Sequence, residues 1–128
     1  MADIYIPVGP AELIDQMVIV QSLATNAQDL NTRTIYADRL SQMQALAADT
    51  LPPINSPSSA AVTAARHDVM QLEADMRAFE VRSDFGMGFV ALSRAYLDAL
   101  DVLVQRKAEY DAAIFAITPG SESSMTKH

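Results

Sequence analysis

Residues 62–79, VTAARHDVMQLEADMRAF, place Val62, Ala65, Val69, Leu72, Met76 and Phe79 at alternating steps of three and four. In an α-helix that spacing gathers all six on one stripe and leaves Arg66, Asp68, Glu73, Asp75 and Arg77 elsewhere on the surface. A second stripe follows in Phe85, Phe89, Leu92, Tyr96, Ala99, Leu103, Tyr110, Ile114 and Ile117. A short break at Ser83-Asp84 separates the two, which predicts an antiparallel helix pair and an all-α, antiparallel bundle.

Working outward from this pair, Ser56-Pro57 supplies an N-cap and a first-turn proline for the third helix. Before it, residues 50–57 form a proline-rich linker in which no helix can continue. A second helix ending near Asp49 carries Ile35, Tyr36, Leu40, Met43, Leu46 and Ala47, with Asp29 or Asn31 as its cap. The first helix runs from Pro10 to about Thr25, with Glu12 and Asp15 in its electropositive first turns. Its broad apolar face, Leu13, Ile14, Met17, Val18, Val20 and Leu23, predicts cover on more than one side. Residues 1–9 read as an extended arm and residues 118–128 as a polar tail, giving a single helical domain of about four helices. The last helix, from Asp84 to Ile117, would be ~50 Å long, so its C-terminal half is expected to kink, to pack on another subunit or to stand exposed.

At 128 residues, half of them hydrophobic, the chain can bury a core without staples. Cysteine is absent, which excludes disulfides, thiolate chemistry and cysteine-based zinc sites. Sixteen acidic residues against nine basic ones give a formal charge of −7, and the first lysine is Lys107. No basic stripe offers a footprint for a phosphate backbone, so neither nucleic acid nor an anionic membrane surface is expected as a partner. No run approaches the ~20 apolar residues that span a bilayer, and the start MADIYIP lacks the charged and apolar regions of a secretory signal. A cytoplasmic location, or one within a viral particle, is the expectation.

Motifs for catalysis are missing. His67 has no glutamate three residues before it, so the paired Glu-x-x-His pattern of di-metal bundles is absent. Gly86-Met87-Gly88 follows no strand and is no nucleotide fingerprint. No metal, cofactor or catalytic residue is therefore assigned. The residues that could form a ligand site are cationic: Arg77, Arg94 and Lys107, if they converge between helices, would make an anion pocket with Glu12 or Glu73 as a neighbouring acid or base.

Residues 6–16, IPVGPAELIDQ, resemble the opening of a small bacterial domain-of-unknown-function family, close to I-P-V-S-P-G-E-L-I-D-K followed by I-T-I-L-E-I-K. Residues 72–80, LEADMRAFE, are similar to that family's I-E-D-x-I-R-x-K-E, and residues 89–94, FVALSR, to its F-I-A-L-A-R. Asp101 and Lys107 stand where the family has the Asp of N-D-x-R and a later Lys, and Gly120-Ser121 matches a G-S before E-E-K-S-Y. The chain departs where Gln21-Ser22-Leu23 replaces E-I-K, where Leu100 and Leu103 replace the Asn and Arg, and in its reduced end, Ser124 to His128. The resemblance implies a fold and candidate residues, and no reaction.

Loss of polar positions to leucine adds apolar surface, and the long fourth helix has more stripe than a compact bundle needs. The leading expectation is a non-enzymatic protein that acts by self-association or by binding a protein partner, such as a component of a viral particle. The interface candidates are Leu100, Leu103, Tyr110, Ile114 and Ile117. The alternative is a small helical enzyme or sensor holding an anionic metabolite at Arg77, Arg94 and Lys107.

Overall fold

The computed structural model describes residues 4–52 and 56–117, the side chain of Ile117 excepted. Four helices follow one another: α1 (Pro10–Asn26), α2 (Leu30–Thr50), α3 (Pro57–Val81) and α4 (Met87–Ile117). Among the described residues there is no strand, and no helix is long and apolar enough to cross a membrane. The tail and residues 53–55 of the linker lie outside the described residues.

Local chemistry sets the helix ends. The Asp29 carboxylate accepts the Thr32 backbone N–H and its hydroxyl, both at 2.8 Å, and so caps α2. Ser56 does the same for α3 through the Ser59 N–H at 3.3 Å, with Pro57 in the first turn. At the far end of α3, Ser83 turns into the left-handed region (φ 55°) and the Asp84 N–H donates back to Phe79 O at 2.9 Å. The Asp84 carboxylate then closes a turn on the Gly86 N–H at 3.3 Å. That turn, rather than a cap, is its role, and α4 starts at Met87 instead of Asp84.

Three helices share the core. Ala11 and Ile14 of α1 meet Val62 of α3 and Tyr110 of α4, with Leu51 and Ile114 at the margin. Ala65 and Val69 of α3 meet Leu103 of α4, flanked by Tyr96, Ala99 and Leu100. These contacts make α3 and α4 antiparallel and lay α1 parallel to α3. As expected from its apolar face, α1 has neighbours on several sides: α2, α3 and α4 all pack on it. The backbone of α2 neighbours α1 alone; only Ala47 is buried along it, and Ile35 and Leu46 are about half exposed.

The interface candidates on α4 fall elsewhere than foreseen. Leu103 and Tyr110 are 3% and 1% exposed within the chain's own core, and Leu100 and Ile114 pack against it. Ile117 lies outside the described side chains. The expectation for α4 is thereby corrected: its C-terminal half packs on both α1 and α3, whereas its N-terminal half packs on α3 alone. The reason is topological. Because α1 starts beside the first turns of α3, it covers the end of the antiparallel α4 and leaves the hairpin end of both helices uncovered.

Truncating Leu103 to alanine is expected to cost about 2–5 kcal/mol in urea unfolding, as for other buried leucines. Val81→Ala, at a position 86% exposed, should stay within about 0.5 kcal/mol of wild type. Equal losses at the two positions would contradict this core.

Candidate functional site

The one charged side chain fully buried among the described residues is Asp15, on α1 with no exposed surface. It shares a face with Ala11 and Val18, both buried, and so points at the junction of α1, α3 and α4. Burying a lone carboxylate costs several kcal/mol, so the fold must supply opposite charge. Two cations provide it. Arg66 of α3 donates from Nε to Asp15 Oδ1 at 2.6 Å and from Nη2 to Oδ2 at 2.8 Å, a two-pronged pair. Lys107 of α4 places Nζ 2.5 Å from Asp15 Oδ2 and 2.9 Å from Glu12 Oε2. Gln16 donates to the other Glu12 oxygen at 3.0 Å.

Two carboxylates thus face two cations, and the cluster is neutral. Burial pushes the Asp15 carboxyl up, but hydrogen bonds and charge from Arg66 and Lys107 outweigh it and hold its pKa below the ordinary 3.8. Glu12 is likewise held below 4.5, first by its hydrogen bond from Gln16 and then by Lys107. Burial works against the charged Lys107, yet its bonds to Asp15 and Glu12 raise its pKa above 10.5. Arg66 is raised above its ordinary value, chiefly by its hydrogen bond to Asp15. No group here is poised to give or take a proton near neutral pH. The arrangement is a clamp between helices.

A second tie lies one turn away. Gly9 has no side chain with which to cap α1, and Asp111 of α4 substitutes: its Oδ1 accepts the Ala11 N–H at 2.8 Å. A Cβ on Gly9 would stand 3.3 Å from Asp111 Oδ2, so the small residue lets the carboxylate approach. Below it, the Tyr110 hydroxyl is buried without a hydrogen-bond partner among the described residues.

The sequence-derived cations do not converge. Lys107 and Glu12 meet at the clamp, where the lysine is fully engaged. Arg77 is exposed and lines a shallow groove with Glu73, whose carboxylate accepts the Tyr96 hydroxyl at 3.4 Å. Arg94 is exposed on another face of α4, beside Met87, Val90 and Asp98. The exposed His67 borders a further open groove between α1 and α3 with Gln21, Ser22, Asn26 and Gln71, and among the described residues no three metal-ligating side chains come together. Asp15, Arg66 and Asp111 carry the geometry, and none was foreseen in that part; Arg66 in particular turns inward rather than lying on the surface. No protein-family model, curated protein or solved structure matches this chain.

Both carboxylates with lowered pKa values stabilise the fold above their unfolded values near 4 and lose that contribution as pH falls through the folded ones; Lys107 contributes below 10.5 and loses it as pH rises through its raised value. Urea stability is therefore expected to be level from roughly pH 5 to 9 and to fall on either side. Asp15→Asn should cost about 3–5 kcal/mol at pH 7, because the partly buried Arg66 loses its counter-charge and Lys107 is left with Glu12 alone. A loss below about 1 kcal/mol would contradict the clamp. Asp111→Ala should cost about 1 kcal/mol, the usual loss for an N-cap.

Proposed function

We propose that this chain is a non-enzymatic helical protein that works by self-association. The observation that carries this reading is the contrast between inside and outside. The interior charges are neutralised by one another, with none left for a ligand, while large apolar side chains face outward along the molecule. Ile4, Tyr5 and Ile6 of the arm are 90%, 87% and 72% exposed. Val81, Phe85 and Met87 stand at the hairpin end, and Leu97, Val104 and Phe115 along α4. A monomer gains nothing from such surface, whereas helices and arms of this kind pack readily against copies of themselves. A viral particle, in which many copies meet through helical faces and terminal arms, is a setting that suits these properties.

The cluster also supports this reading by its rigidity. Asp15 ties three helices at one point, so the outward faces are held in a fixed relation, which repeated assembly requires. Light scattering coupled to size exclusion is expected to give a mass above 13.9 kDa that rises with concentration to a defined multiple. A constant 13.9 kDa species at every concentration would overturn the proposal.

A further inference from the structure

Three charged residues of the clamp, one on each of α1, α3 and α4, share one placement. Asp15 stands between Ala11 and Val18, Arg66 between Val62 and Val69, and Lys107 between Leu103 and Tyr110. Each lies four residues after one buried apolar side chain and three before the next, so each interrupts an apolar stripe rather than flanking it. Every one of them pairs with an opposite charge on another helix.

The outer face of α4 repeats this pattern. Val90, Leu97 and Val104 recur every seven residues and are 46%, 60% and 68% exposed. Arg94 falls between the first two and Asp101 between the last two, at the same steps of four and three. Seven-residue recurrence with a residue four on is the spacing of a helix-pairing seam. Among the described residues neither Arg94 nor Asp101 has an ion-pair partner, and no other helix of the chain covers this stripe.

We infer that the stripe pairs with the same stripe of a second copy, the two α4 helices running antiparallel. This rests on the self-association proposed above and names its surface. Charge selects the direction. In a parallel pair Arg94 would face Arg94 of the partner subunit, and the aspartates would likewise oppose one another. In an antiparallel pair with its two-fold axis beside Leu97 and Asp98, Arg94 meets Asp101 of the partner subunit, twice by symmetry. Val90 then lies near Val104 of the partner subunit, and the leucines pack at the centre. The paired length, from Met87 to Ala108, is ~32 Å, close to the full uncovered face. The seam positions themselves carry one positive and one negative charge per copy, Arg94 and Asp101, with Asp98 flanking them beside the axis.

The test measures the association constant by light scattering for the full chain and for surface variants, with helix content followed by circular dichroism. Leu97→Glu should abolish the pair with helix content unchanged. Arg94→Asp should weaken it about tenfold or more by placing like charges together, and the exchange Arg94→Asp with Asp101→Arg should restore it to within about threefold. An oligomer that none of these changes would overturn the α4 pairing and leave self-association through another face. A single swap that weakens and a double exchange that does not restore would overturn the antiparallel register. A wild-type monomer at every concentration would overturn both this inference and the reading on which it rests.

Discussion

A single carboxylate, Asp15, holds the architecture together. It lies wholly inside, and its two oxygens are shared between Arg66 of α3 and Lys107 of α4. A buried ion pair is weak evidence for stability, since desolvation offsets much of the attraction. Its stronger consequence is specificity. With Asp15 in place, α1 can neither slide nor rotate against α3 and α4 without leaving a charge unpaired. An apolar core of valine, alanine and leucine alone would tolerate many such slips. The capping contact between Asp111 and the Ala11 N–H fixes the same register from the other side.

From that register follows the division of the surface. The chain completes a three-helix core around residues 11–18, 62–69 and 103–114, and the rest of α3, α4 and α2 extends away from it. The hairpin end and the outer stripe of α4 therefore remain apolar and open. They are open because of topology, not because the chain lacks apolar residues to cover them. It is on these open apolar side chains that the proposed self-association rests.

The stripes of α3 and α4 are plain in the sequence, and so are the cap at Ser56 and the stop after Val81; for α2 the sequence offers Asp29 or Asn31, and the structure uses Asp29. Periodicity reads burial well when a helix meets one partner. It misleads in α4, where two apolar stripes share one helix: Leu103 and Tyr110 face inward and Leu97 and Val104 outward. Spacing alone does not say which stripe meets the chain's own core. The clamp was present as a signal, a charged residue in each of three apolar stripes. Reading charges as surface by default concealed it, because the partners are 51 residues apart for Arg66 and Asp15 and 95 for Lys107 and Glu12. Asp111 as a cap for α1 has no local signal at all beyond the bare glycine at position 9.

Amide hydrogen exchange on the full chain, at low and at high protein concentration, tests the whole scheme at once. Amides near Asp15, Arg66 and Lys107 should exchange slowest at both concentrations, and those of α2 markedly faster. Amides from Val90 to Val104 should gain protection only at high concentration, where the outer stripe is covered. If the centre exchanges as fast as α2, the clamp does not organise the fold. If α4 is indifferent to concentration while the mass rises, the copies meet somewhere else.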